Sequence, residues 1–316
     1  MSDSLSAAAE SLLPDEDDAP RCADHQRRLG IDPGGTAIDS DLLVLIDTPL
    51  PWPAEMAAHV RFGGRGPEIP VAGGQARLLA VVPPRVGDGG RVRIFWRTGA
   101  AVRGRTFLYR DQADLDRILG QLQHVHPTDA PADRTVEASA DLVLVCTHGS
   151  RDQCCGTDGT RLAATLTATR PDLVVERTSH LGGHRFSPTV MTLANGRMWA
   201  DFTTDDVIGV LDRTADPASV AGRCRGWWGA PMGPAQMAER AVFAQLGWAF
   251  DDQDRRVETT ALADGITRSI VTWAGGRRRV DVAVARQTPT IACRQPGGRP
   301  AKPSVEYAVV AGPTDA

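Results

Sequence analysis

The chain has 316 residues, a mass of 33.7 kDa, 42% hydrophobic residues and a net charge of −4. That length supports two or three domains of about 100 to 150 residues, and the mildly acidic balance supplies no basic field for nucleic acid or anionic lipid. Six cysteines are too few for a disulfide scaffold, and no apolar run approaches the roughly 20 residues that span a bilayer, so a cytoplasmic protein with neither nucleic-acid nor membrane partners is expected.

The first twenty residues (MSDSLSAAAESLLPDEDDAP) are acidic and rich in Ser and Ala, a composition that predicts a mobile tail over 1–20. An N-terminal α/β domain over 21–124 follows. LLVLID at 42–47 reads as a strand and PAEMAAHVR at 53–61 as a Pro-punctuated helical or turn segment. Strands come next at 77–83, 92–97 and 105–110, and Leu/Ile spacings of three and four mark a helix at 112–123. The element order is β, α, β, β, β, α.

After a linker at 125–139 the pattern begins again over 140–215. DLVLVCT at 141–147 is a strand, residues 148–158 a loop, and TRLAATLTATR at 160–170 a helix closed by Pro171. A strand at 172–178 leads into the HLGGHRFSP loop. TVMTLA at 189–194 and RMWADF at 197–202 flank Asn195-Gly196, the strongest short-range signal for a hairpin. A helix at 204–213 completes β, α, β, β, β, α for the second time. The remaining segment, 216–316, reads as an accessory region: a helix at 234–247 and small antiparallel strands near 256–262, 266–273, 278–285 and 304–311, with a turn at Ala274-Gly275-Gly276. Trp227-Trp228 suits either the core or a partner surface.

Chemistry concentrates in CTHGSRDQCCG at 146–156 and SHLGGHRF at 179–186. Cys146 stands at the carboxyl end of a strand, where open α/β sheets place their sites. Cys154 and Cys155 enter the next helix, whose N-terminal potential favours thiolate. His180 and His184 follow the next parallel strand, separated by Gly182 and Gly183, so both pairs emerge on one sheet edge. Sulfur with imidazole nitrogen is the donor mixture of zinc and of iron–sulfur clusters. From the residues alone three readings stay open: an iron–sulfur site, structural Zn2+, and thiol redox chemistry among Cys146, Cys154 and Cys155. His148 reads as a neighbour hydrogen-bonding the site, Arg151 and Arg185 as flanking cations, and Cys22, Cys224 and Cys293 as isolated thiols. No paired carboxylates or nucleotide-binding fingerprint mark a stand-alone enzyme.

These two motifs, with GGTAIDSDLLVLIDTPLPWP at 34–53, resemble the sucrase/ferredoxin-like family, whose C-terminal part is a thioredoxin-like ferredoxin. The resemblance runs from Cys22 to Asp251. It implies a thioredoxin-like domain that carries the metal; in the α/β protein read from the residues this domain is preceded by a second α/β half of the same element order and followed by a small α+β extension, which lies beyond the resemblance after Asp251. It also implies a [2Fe-2S] cluster held by Cys146 and Cys155 with His180 and His184, Cys154 competing for the second sulfur position. An electron carrier, with an external protein as electron donor or acceptor, is the expected function, and proton uptake at the imidazoles would accompany reduction. Pro188 departs from the family, in which small residues other than proline are expected at this position.

Overall fold

The computed structural model describes residues 4–85, 87, 89–129 and 136–316. Residues 1–3 of the expected tail and 130–135 of the expected linker lie outside the described residues.

Two short helices open the chain, α1 (Ala7–Glu10) and α2 (Cys22–Arg28). Residues 4–20, expected to be a mobile tail, lie against the C-terminal part: Ala9 is buried, Leu13 packs beside Cys22 and Ile291, and the Ser6 N–H donates to Gln287 Oε1 at 2.6 Å. A handful of apolar residues holds a segment that composition alone assigns to solvent.

The first half contains β1 (Leu42–Asp47), β2 (Glu68–Val71), β3 (Gly74–Val81), β4 (Gly90–Thr98), β5 (Ala101–Tyr109) and α3 (Gln112–Gln121). All six residues of β1 are buried: Leu42–Ile46 as an apolar run in a two-sided sheet requires, and Asp47 with Arg91 donating to its carboxylate at 2.9 Å. The helical or turn segment expected at 53–61 consists of two 3-10 turns, Met56–Ala58 and Val60–Phe62. Strand β2 escapes a reading from pattern because it is four residues long and contains Pro70.

After the short β6 (Val136–Glu137), the second half runs β7 (Leu142–Cys146), α4 (Thr160–Thr169), β8 (Val174–Thr178), β9 (Val190–Thr192), β10 (Arg197–Trp199) and α5 (Thr204–Leu211). Helix α6 (Pro217–Ala221) and β11 (Cys224–Trp227) follow. In the first half β1 pairs parallel with β3 and antiparallel with β4, and β4 pairs antiparallel with β5. In the second half β7 pairs parallel with β8 and antiparallel with β9, and β9 pairs antiparallel with β10. Strand order and sense are therefore the same in the two halves, a thioredoxin-like arrangement. They meet edge to edge through an antiparallel contact of β3 with β8 at Val81 and Thr178, so one mixed sheet runs through both. Only the second half has a crossover helix between its parallel strands; the first uses the 3-10 turns and β2.

Leu43, Leu79, Leu144, Met191 and Trp228 belong to one buried core between the halves, which also includes Cys146 and Cys155. Trp227 and Trp228 are both buried, and the Trp228 indole N–H donates to the Ser40 carbonyl, so the tandem is core. Among the described residues no helix is long and apolar enough to cross a membrane.

Helix α7 (Pro234–Leu246) then covers the second half, and β12 (Arg255–Ala261), β13 (Ile266–Trp273), β14 (Gly276–Thr290) and β15 (Lys302–Asp315) form a four-stranded antiparallel meander. Four charged side chains without solvent access join these parts. Arg197 grips Glu239 through two bonds of 2.9 Å and reaches Asp251, while Arg255 donates to Glu239 at 2.8 Å and to Asp251 at 3.1 Å. Removing one member of such a buried set leaves an uncompensated charge. Arg197→Ala and Glu239→Ala should each therefore cost about 3 to 5 kcal/mol, measurable by urea unfolding followed by circular dichroism.

Candidate metal centre

Cys146 is the last residue of β7, and the chain beyond it turns back sharply. Two glycines permit this: a Cβ on Gly156 would stand 2.5 Å from Gly149 Cα, and one on Gly159 only 1.9 Å from the Cys146 carbonyl oxygen. Helix α4 is entered through a π-type turn at Cys155–Gly159, a form frequent at functional sites. The Asp152 carboxylate starts that turn, its Oδ1 accepting from the backbone N–H groups of Cys154 (2.9 Å) and Cys155 (3.2 Å).

The histidine loop leaves β8. Gly182 and Gly183 adopt φ of +76° and +60°, left-handed backbone that glycine takes without a Cβ penalty. Two arginines hold it in place. Arg77 on β3 donates to the His180 carbonyl at 3.0 Å, and the buried Arg225 on β11 donates to the Gly182 carbonyl at 3.1 Å. Nothing in the motifs points to either: Arg77 sits in a strand that reads simply as core, and Arg225 in a short stretch with no strand signal of its own.

Adjacent cysteines point into different groups. Sγ of Cys146, Sγ of Cys155 and a ring nitrogen of His180 lie within 4.8 Å of one another, and both sulfurs are fully buried. Cys154 instead joins Cys22, Cys293 and Asp152 in a second group of the same compactness. The reading of Cys22 and Cys293 as isolated thiols is therefore corrected: α2 and the segment after β14, far away in sequence, carry them to Cys154. Cys224 stands apart, buried on β11.

His184 lies outside both compact groups, its ring centroid 5.7 Å from that of His180. Its Nδ1 is 2.9 Å from Asp152 Oδ2, which leaves Nε2 as the nitrogen free to ligate. A carboxylate behind a histidine in this way sets the tautomer and orientation of a ligand imidazole. His180 Nδ1 is buried without a hydrogen-bond partner, a costly state for a polar atom unless it has another use. Both histidines, with Asp152 and Cys293, line an open cavity of about 590 Å³.

The remaining expected residues are placed as follows. His148 is buried, its Nε2 2.8 Å from the Pro53 carbonyl oxygen and its ring edge-on to Trp52. Arg151 lines the cavity and pairs with Glu55. Arg185 is buried against Phe186 and donates to Thr290 and Ser304, so it docks the C-terminal meander rather than facing the sulfurs. The Ser187–Pro188 peptide is cis.

Electrostatics separates the two sulfurs of the first group. Hydrogen bonds from Cys155 and His180 hold the Cys146 thiol well below its ordinary range despite burial, whereas its partner Cys155 is pushed up by its hydrogen bond to Cys146 and by burial. Burial lowers the His180 imidazole, keeping it neutral and able to ligate. Burial likewise pushes Arg225 down to about 10, with Cys146 and Cys155 opposing that shift. Soft sulfur, neutral imidazole and an orphaned ring nitrogen together fit a metal ion or metal cluster.

The fold and this site define an α/β protein with a Cys/His group able to hold metal. Residues 81–226 match the family model described as sucrase/ferredoxin-like. This stretch, rather less than half of the chain, contains Cys146, Cys155, His180 and His184, and its similarity to the sucrase/ferredoxin-like family suggests a redox-related role. No curated protein and no solved structure matches the chain.

The glycine contacts give a paired expectation. Gly159→Ala should destabilise the protein by about 1 to 3 kcal/mol through overpacking against the Cys146 carbonyl. Gly120→Ala, in α3 with open space around it, should stabilise by about 0.5 to 1 kcal/mol. Thermal unfolding of both variants checks the contrast.

Proposed function

We propose that the chain is an electron carrier in which Cys146, Cys155, His180 and His184 hold a [2Fe-2S] cluster. The observation that carries this reading is the convergence of Cys146, Cys155 and His180 within 4.8 Å, with His184 alongside and its Nδ1 engaged by Asp152. When bound, the cluster supplies a one-electron couple, and imidazole in place of thiolate raises its potential.

The protein's part is to hold these donors in their ligating forms and to limit access. Hydrogen bonding keeps Cys146 as thiolate and burial keeps His180 neutral. Asp152 turns the Nε2 of His184 outward from its own carboxylate. Arg225 places positive charge near both sulfurs and so favours added negative charge at the site. Arg151 and Arg185, the cations that the sequence suggests for this task, are engaged by Glu55 and by the β14–β15 meander. The cavity at His180 and His184 gives an external redox protein its approach to the imidazole side, while the sulfurs remain covered.

Anaerobic purification with assay of iron and acid-labile sulfide, together with the visible spectrum, is the test. Red-brown protein with about two irons and two sulfides per chain is expected, and Cys155→Ser and His180→Ala should each remove the colour. His184→Cys should keep the cluster, change its spectrum and lower its midpoint potential. Colourless wild-type protein whose zinc depends on Cys155 would replace this reading with a structural ion at the same donors, and metal-free protein with titratable thiols would replace it with thiol chemistry.

A further inference from the structure

The three thiols of the second group have no part in the proposed electron carrier, which draws only on its Asp152, yet the group is as compact as the first. Cys22 opens α2, Cys154 precedes the π-turn, and Cys293 follows β14. Sγ of Cys154 lies 3.7 Å from Sγ of Cys22 and 3.5 Å from Sγ of Cys293, and Cys22 Sγ is 3.2 Å from Asp152 Oδ2. Paired sulfurs of a disulfide stand about 2.05 Å apart, so these are three separate thiols. Tetrahedral zinc at about 2.3 Å from each sulfur spaces its thiolates about 3.8 Å apart, close to both observed separations.

We propose that Cys22, Cys154 and Cys293, completed by Asp152, form a second metal site that takes a single zinc ion. Zinc accepts a carboxylate oxygen beside thiolates, whereas iron–sulfur clusters rely on cysteine with histidine as the substitute. Asp152 can serve both groups, because one carboxylate offers several lone pairs: Oδ1 is used by the Cys154 and Cys155 amides, while Oδ2 faces Cys22 and His184. An access path exists, since Cys293 lines the 590 Å³ cavity and is partly exposed whereas Cys22 and Cys154 are buried.

The surrounding backbone is built to bring these segments together. The Arg294 N–H donates to the Pro20 carbonyl at 3.0 Å and the Gly297 N–H to the Asp18 carbonyl at 2.8 Å, so the C-terminal loop grips the chain just ahead of Cys22. Zinc here clamps three distant segments directly beside Cys155. Its binding displaces thiol protons to solvent, and no change of oxidation state is involved. The inference stands independently of the electron-carrier reading.

Full-length protein grown with zinc and purified without chelator is assayed for zinc and iron. About one zinc per chain is expected beyond any iron, falling at least about tenfold in Cys22→Ser and Cys293→Ser and persisting in Cys155→Ser. Should a variant fail to fold, wild-type protein answers by alkylation and mass spectrometry: Cys22, Cys154 and Cys293 resist iodoacetamide in the zinc-loaded protein and react after chelation. Zinc unchanged in both serine variants, a Cys154–Cys293 disulfide in the native protein, or iron in place of zinc at these residues would each overturn the proposal. Protein with this zinc but no iron would instead defeat only the electron-carrier reading.

Discussion

Arg197, Glu239, Asp251 and Arg255 have no solvent to satisfy them and must satisfy one another. Each comes from a different place: a strand of the main sheet, the covering helix α7, the turn after it, and the first strand of the C-terminal meander. Because the desolvation of four charges is tolerable only in one mutual geometry, the quartet specifies how the meander sits on the second half. That placement in turn brings the end of β14 to the cysteine loop, so Cys293 reaches the site through a constraint with no chemistry of its own.

Around the site the same economy of means appears in Asp152. Its carboxylate starts the π-turn, holds the Nδ1 side of His184 and faces Cys22. One short side chain thereby couples the direction of the two adjacent cysteines to the orientation of a histidine some thirty residues away. Arg77 and Arg225 brace the histidine loop from opposite halves of the sheet through its carbonyl groups. The site is thus shared property of both halves, although its conspicuous motifs lie in the second alone.

Much of the fold was legible where hydrophobic periodicity is strong and local. β1, the Asn195-Gly196 hairpin and α3 follow the pattern closely because each depends on near neighbours in sequence. β2 was not legible, since a four-residue strand containing Pro70 has too little pattern, and the 3-10 turns at 56–62 read as helix or turn because over one turn the two share a spacing. Residues 4–20 carry no core pattern of their own because Leu13 is anchored by the far end of the chain. At the site, sulfur and imidazole in short motifs betrayed the chemistry. The partnership of Cys22 and Cys293 with Cys154 left no local trace.

The amino-acid order on its own determined the longer strands of both halves, where the sheet edge with Cys146 and the histidine loop would lie, and that soft-metal donors gather there, because these are consequences of short-range periodicity and residue chemistry. Tertiary structure decided the rest. Joining the halves through Val81 and Thr178 made one sheet, and docking both chain ends against the cysteine loop placed Cys154 with Cys22 and Cys293 and left Cys155 to Cys146 and His180. Neighbours in sequence can point to different sites because side-chain direction is set by the packing around each residue, and that packing comes from segments more than a hundred residues away.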